Sequence, residues 1–438
     1  MITIPTIILT CIFCLLILSV SKKNLIPIYI FAMCFVPADQ AVVIAGLDFK
    51  VLRILALFGL ARIIITGDST RYRANKIDNL VVIWAVVGAI SFSLLWGTFQ
   101  AVINRAGTIV DLLVIYYVFR VYVNSIDSIY RIGWSLVISI IVLTPFVTYE
   151  YIYAENPFSI FGRNAISFRE GRIRCSGAFS HAILLGSFSA SIAPIALGLY
   201  KTNAIKTRKL KYKLTSILGI ICSIMVTIFS ASSGPMIALI SGLLLTTFYR
   251  FRFSFPLLLK LTILVLFILH LIMKKPVWHL IARVDFAGGS TGYHRYLLID
   301  KAIIHFNEWA LIGVKSVADW GIWAGDVTNM YILQGVQGGS ITFLLFFLLI
   351  YRMLNIFWKY TLNMSNGYNR IMAWGIFCST ATHAVSFISV AYFGQIQMLL
   401  ILLLATASLM HNISPPPKKE IKRPLKQTKP NRKDHLMK

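Results

Sequence analysis

Long apolar runs, broken by short polar punctuation, fill this chain from its second residue to about residue 411. Such runs point to helices that cross a bilayer. About 20 apolar residues in a helix span the hydrocarbon core, and the helix satisfies its own backbone hydrogen bonds where no water can. Thirteen runs qualify as candidate spans, near 2–20, 25–45, 51–65, 80–99, 107–123, 132–153, 177–199, 214–232, 235–249, 256–273, 328–350, 371–390 and 391–411. Those at 51–65 and 235–249 are short enough to be partial or strongly bent. The pattern predicts an all-α polytopic membrane domain over residues 1–411, with 12 or 13 spans and two long polar interruptions at 154–176 and 274–327. Within the second interruption, residues 293–309 read as an amphipathic helix. Tyr296, Ile299, Ile303 and Phe306 recur on one face, and His294, Lys301, His305 and Glu308 share another.

Composition agrees. The chain is 58% hydrophobic and only 13% charged, against about 25% charged in soluble domains. Its 42 Lys and Arg against 16 Asp and Glu give 42 − 16 = +26. In a soluble protein that balance would suggest nucleic acid, but beside apolar runs of this length it marks cytoplasmic loops, where Lys and Arg gather. Residues 201–213 carry Lys201, Lys206, Arg208, Lys209, Lys211 and Lys213 without an acid, and Lys22, Lys23, Arg71, Arg73, Lys76, Arg250 and Arg252 fall on the same side by parity. Residues 412–438 are basic and nearly free of apolar side chains, so they are expected to form a disordered cytoplasmic tail near anionic lipid. Parity then puts both long loops outside. The run from Ile2 to Val20 lacks a preceding basic region and a cleavage site, and is expected to be a retained helix rather than a signal peptide. Five of the six cysteines lie within apolar runs, which excludes a disulfide framework.

Basic residues are unexpected on an outer face, yet Arg163, Arg169, Arg172 and Arg174 crowd into the first outer loop with only Glu170 to balance them. Guanidinium forks bind phosphates, and a membrane surface offers lipid headgroups or the diphosphate of a lipid-linked substrate. Arg172 and Arg174 directly precede the run into the next span and are the stronger substrate candidates. His181 is expected one turn inside that span, as a functional group or as a buried histidine bonded to a hydroxyl. The second loop holds His279, His294, His305, Trp278, Trp309, Trp320 and Trp323, a mixture that suits sugar recognition. Interfacial tryptophans are also ordinary anchors, which accounts well for Trp278 and less well for Trp320 and Trp323. Arg283 and Arg295 can reach a phosphate from this loop. Asp326 and Asn329 flank the return to the membrane, followed by Tyr331 and Gly335, Gly338 and Gly339. Asp326 can serve as general base toward a sugar hydroxyl or can cap the next helix, and Asn329 can be a packing residue.

There is no P-loop, no dinucleotide fingerprint, no zinc spacing and no nucleophile elbow. Acids within the spans are almost limited to Asp111 and Glu150, whereas ion-coupled transporters need embedded relays.

The segments Arg174-Cys-Ser-Gly-Ala-Phe-Ser-His181, Ser230-Ala-Ser-Ser-Gly-Pro235, Tyr293-His-Arg-Tyr-Leu-Leu-Ile-Asp-Lys-Ala302 with Trp309-Ala-Leu-Ile-Gly313, and Asp326-Val-Thr-Asn-Met-Tyr331 together resemble the O-antigen ligase and polymerase superfamily of bacterial membrane proteins. The resemblance implies a membrane-embedded glycosyltransferase of the GT-C type in the inner membrane, inverting, with no metal or other cofactor. An undecaprenyl-diphosphate-linked oligosaccharide would be the donor and a glycan or lipid the acceptor. It implies catalytic roles for Arg295, Asp326 and Asn329, and substrate binding by Arg172, Arg174, His181, Arg283, His294, Trp323 and Tyr331. Many ligases have Ser-Arg-Gly and His-Asn where this chain has Ser232-Ser233-Gly234 and Thr328-Asn329. Those departures point toward a polymerase, or a divergent ligase with Asp326 in the histidine's place. A lipid-linked saccharide transporter working without chemistry is the alternative, and a noncatalytic export scaffold using the basic tail is a third reading.

Overall fold

Helix boundaries fall where local chemistry stops or starts the backbone ladder. Asn75 caps the helix that follows it, in a reciprocal box with Asp78, and left-handed Gly97 ends that helix. Ser125 and Ser128 form the same box before residue 126. The computed structural model describes residues 2–37, 40–44, 47–163, 166–206, 209–283, 291–322 and 325–413. Its helices are α1 (Ile4–Ser19), α2 (Leu25–Phe35), α3 (Val51–Thr66), α4 (Lys76–Trp96), α5 (Phe99–Tyr122), α6 (Ile126–Tyr153), α7 (Ala182–Lys206), α8 (Leu210–Phe229), α9 (Ser233–Thr247), α10 (Phe255–Ile272), α11 (Thr291–Ile304), α12 (Phe306–Trp309), α13 (Met330–Asn363), α14 (Gly367–Ser386) and α15 (Gln395–Ile413). Two short hairpins, β1 (Ala41–Ile44) with β2 (Leu47–Lys50) and β3 (Ser167–Arg169) with β4 (Arg172–Arg174), complete it.

Among the described residues, nine helices are long and apolar enough to cross a membrane: α4 to α10, α13 and α15. The protein is an all-α, multi-pass membrane protein. Each of the thirteen expected spans overlaps a helix, but four fall short of that standard. The run 25–45 is helical only to Phe35, because Val36 turns extended before Pro37 and residues 41–44 pair with 47–50 as β1 and β2. Helices α1 and α3 have 16 residues each, and α14 carries Asn369, Arg370 and His383. The runs 371–390 and 391–411 are divided where expected, but by an eight-residue non-helical stretch, 387–394, rather than by a tight turn.

The bundle packs around α7 and α15, which are buried on nearly all sides, while no residue of α10 is buried. Small residues permit the close approach. A Cβ on Gly198 of α7 would lie 3.3 Å from the Cα of Gly375 on α14, and Ser386 donates to Ser187 at 2.9 Å. Polar ties join helices elsewhere. Arg53 holds Asp111 through two bonds of 2.5 and 2.8 Å. Asp78 accepts from Arg120 at 2.8 Å, Tyr116 at 2.5 Å and Ser408 at 2.8 Å, linking α4, α5 and α15.

The second long loop has an apolar core of its own, built on Leu298, Ala302, Trp309, Val317, Trp320, Ile322 and Val327. Its helix differs from the expected one. The segment breaks at His305 into α11 and α12, and the buried stripe of α11 is Arg295, Leu298 and Ala302. Ile303 and Phe306, on the apolar face read from the sequence, are exposed, while the loop's own tryptophans Trp309 and Trp320 are buried. His305 stacks on Trp320 at 5.1 Å, and Glu308 accepts from both, which holds its carboxyl below the usual range.

This loop is fastened to a break in α13. Gly339 sits there at φ 75°, ψ −179°, a conformation essentially restricted to glycine. Val314 N–H donates to the Val336 carbonyl and Ser340 N–H to the Ala310 carbonyl, both at 2.8 Å. A Cβ on Gly339 would collide with the Leu311 carbonyl oxygen. Gly339→Ala is therefore expected to lower stability by at least about 1–3 kcal/mol from backbone strain alone. Thermal melting in detergent and faster proteolysis within residues 305–322 would register the loss.

Candidate functional site

The elements flanking both long loops converge on one cavity of about 760 Å³ at one end of the bundle. Its lining includes Arg169, Arg174, His181, His294, Arg295 and Asp326, with Thr328, Ser389 and Phe393. Five acid or base side chains of the sequence-based site thus meet in one place, from chain positions up to 152 residues apart (326 − 174 = 152).

Each is positioned by a distinct device. The β3–β4 turn at Glu170 and Gly171 adopts left-handed geometry and pairs Ser167 with Arg174 and Arg169 with Arg172. Alternation puts these side chains on one side of the hairpin. Arg174 donates to the Ser232 hydroxyl at 2.9 Å, and its Nε is buried without a hydrogen-bond partner. Burial first, then the neighbouring Arg169 charge, holds the Arg174 pKa below the ordinary guanidinium value. Two guanidinium groups close enough to repel each other favour an anion between them.

Arg295 is 5% exposed and reaches the first turn of α9 from the other side. A Cβ added to Gly234 would lie 3.3 Å from its Nη2. The Ser230–Pro235 turn is therefore where both arginines arrive. Ser232 stands at the N-cap of α9 but does not cap it, since its hydroxyl donates to the Ser230 carbonyl at 2.9 Å. Helix N-terminus and arginines present like-signed charge to the same corner.

The loop 175–181 is locked from behind by four residues, of which the sequence had marked only Arg163, as a phosphate candidate. Glu150, buried at the end of α6, accepts from the Ser176 and Gly177 N–H groups at 2.9 and 2.8 Å. Asn156 donates to the Gly177 carbonyl at 3.0 Å, and Arg163 to the Ser180 carbonyl at 2.7 Å. Gln395 donates to the Ala178 carbonyl at 2.7 Å. An acid inside an apolar run was the one visible signal for Glu150, and Arg163 stood out only as one of the outer-loop arginines; Asn156 and Gln395 carried none. His181 is exposed at the mouth of the cavity immediately before α7, not one turn inside the span, with its ring edge-on to Phe393.

Several expected site residues stand elsewhere. Asn329 is the N-cap of α13: its Oδ1 accepts from the Tyr331 and Ile332 N–H groups, and its Nδ2 donates to the Ile388 carbonyl at 3.2 Å. Those bonds make it a positioning residue rather than a reacting one, and Asp326, which was the alternative cap, is left exposed on the cavity. Tyr331 packs among Phe346, Phe347 and Phe387, and its hydroxyl donates to the Ala384 carbonyl at 3.0 Å, so it does not face the cavity. Arg172 and Arg283 are exposed and absent from the lining. Trp320 is buried and spends its indole N–H on Glu308, a structural role rather than sugar stacking. Trp278 stacks on His270 and donates to Asp300 at 3.0 Å. Trp323 and residues 414–438 of the basic tail lie outside the described residues. Among the described residues, no three His, Cys, Asp or Glu side chains stand close enough to share a metal ion.

Fold and cavity together define a multi-pass membrane protein with a cationic cleft at one end of its helices, lined in part by a folded loop. No model of a known protein family matches the chain, and no curated protein matches it.

Proposed function

We propose that this chain transfers a polyprenyl-diphosphate-linked saccharide to an acceptor hydroxyl, as a surface-polysaccharide polymerase or ligase with a GT-C-like architecture. The observation that carries the reading is the meeting of Arg169, Arg174 and Arg295 with the exposed carboxylate of Asp326 in one cavity. Arginines preorganised around a diphosphate stabilise the charge that develops on it as a leaving group. Asp326 takes the proton of the attacking hydroxyl, which forms the new bond at the anomeric carbon opposite the departing diphosphate and so inverts it. His181 and His294 flank the path and bond the sugar hydroxyls.

Ion-coupled transport without chemistry would need acids available along the helices. Here Asp111 and Asp78 are paired with arginines, and Glu150 is bound to backbone, which favours the transfer reading. The lysine-rich 201–213 segment belongs to the opposite ends of α7 and α8 from the cavity. By the distribution of positive charge, the cavity faces outward from a bacterial inner membrane, and the C-terminus with its basic tail lies in the cytoplasm near anionic lipid.

The test is the length profile of surface glycan on a gel, in a deletion strain and its complemented counterpart. Loss of the ladder with a single capped repeat remaining identifies a polymerase. Loss of every repeat, with lipid-linked polymer still made, identifies a ligase. An unchanged profile overturns the proposal.

A further inference from the structure

A second pocket, of about 270 Å³, lies beside the first and shares Ala391 and Phe393 with it. Its walls come from α4, α5 and α13, and its polar lining is Arg105, Thr108, Gln334, Gln337 and Gln397. Arg105 is six positions after Phe99, the first residue of α5, which puts it about 9 Å along the helix. An arginine at that depth in an apolar helix is expensive and marks a functional site by default. It is held in place rather than left to reach for water. Its Nη2 donates to the Gln337 side-chain Oε1 at 2.8 Å, and its guanidinium lies 3.7 Å from the centre of the Phe92 ring. Trp96 continues that aromatic face at 5.8 Å from Phe92, and the Lys315 ammonium sits over Trp96 at 5.9 Å. A ladder of cation, ring, ring and cation therefore leads from the folded loop down to the pocket. Among the described residues, no carboxylate is paired with Arg105, unlike Arg53 and Arg120.

We propose that this pocket binds a second phosphate-bearing lipid, with Arg105 on the phosphate and the glutamines on its polar neighbour. Resting on the transfer reading above, that lipid is the acceptor: two lipid-linked molecules then stand side by side, with the 389–393 segment between their headgroups. This arrangement belongs to a polymerase, whose donor and acceptor both carry phosphate.

Calorimetric titration of the purified full-length protein with farnesyl diphosphate tests it. Wild type is expected to bind two equivalents. Arg105→Gln should weaken one of the two by about tenfold or more, the loss of one charge-assisted bond, and leave the other untouched. Gln337→Leu, which releases Arg105 from its fixed position, should weaken the same equivalent and serves if Arg105→Gln fails to fold. Two unaltered equivalents in both variants overturn the proposal. Displacement of the Arg105-dependent equivalent by short-chain phosphatidylglycerol would assign the pocket to ordinary lipid headgroups and overturn the acceptor role; resistance to displacement supports it. A wild type that binds one equivalent, lost in Arg105→Gln and kept in Arg174→Ala, would instead overturn the donor role given to the larger cavity while leaving this pocket standing.

Discussion

Arg295→Ala and Arg174→Ala are each expected to cut glycan transfer by about 10²- to 10³-fold, the usual consequence of removing one preorganised charge donor from a developing anion. Arg295 is almost fully buried against the first turn of α9. Its charge acts where water cannot replace it, so the loss falls on the reaction more than on substrate capture. Arg174 is held by one bond to Ser232 and lines the cavity, where its guanidinium can meet the diphosphate. Lysine at either position keeps the charge and loses the fork, so partial activity should return. The measurement is the amount and length of surface glycan from strains with matched protein levels, followed by single-turnover transfer in detergent. Unchanged glycan from normally expressed Arg174→Ala and Arg295→Ala proteins would sink the assignment.

Asp78→Ala should be the most damaging single change to the fold, by about 3–5 kcal/mol, because it leaves the buried Arg120 guanidinium without its counter-charge. The same carboxylate also accepts from Tyr116 and Ser408. Three helices lose a common tie. Asp78 lies at the bundle end near Ser408 and Asn412, away from the cavity. Whatever protein folds should therefore keep its transfer rate, while the melting temperature falls steeply. Replacing Arg120 by Met in the same chain removes the stranded charge and should restore much of the loss. A single variant that melts like wild type would mean that the pair is solvated.

The helices were legible because a bilayer span imposes a length and a composition that no neighbour has to supply. The misreadings share one cause. Val36 before Pro37 ended α2 early, and the boundary read between residues 390 and 391 is an eight-residue non-helical stretch, Phe387–Gly394. Both depend on how the chain meets other segments. The apolar stripe of α11 was legible, but periodicity could not show that Arg295, Leu298 and Ala302 would be its buried positions.

The candidate site divides similarly. Arg174, His181, Arg295 and Asp326 stood out as charged residues beside apolar spans, which is an anomaly visible in one dimension. Asn329 and Tyr331 looked equally polar and equally placed, and only their bonds to the Ile388 and Ala384 carbonyls separate them from the cavity. By itself the sequence determined a basic, multi-pass helical membrane protein and the two loops that carry its unusual charge, because hydrophobic length and charge act locally along the chain. Tertiary structure alone decided which arginines share a cavity, that Glu150 and Arg163 hold its rim, and that Arg105 faces a second pocket. Those facts depend on contacts between residues far apart in the chain, and no local pattern encodes such distances.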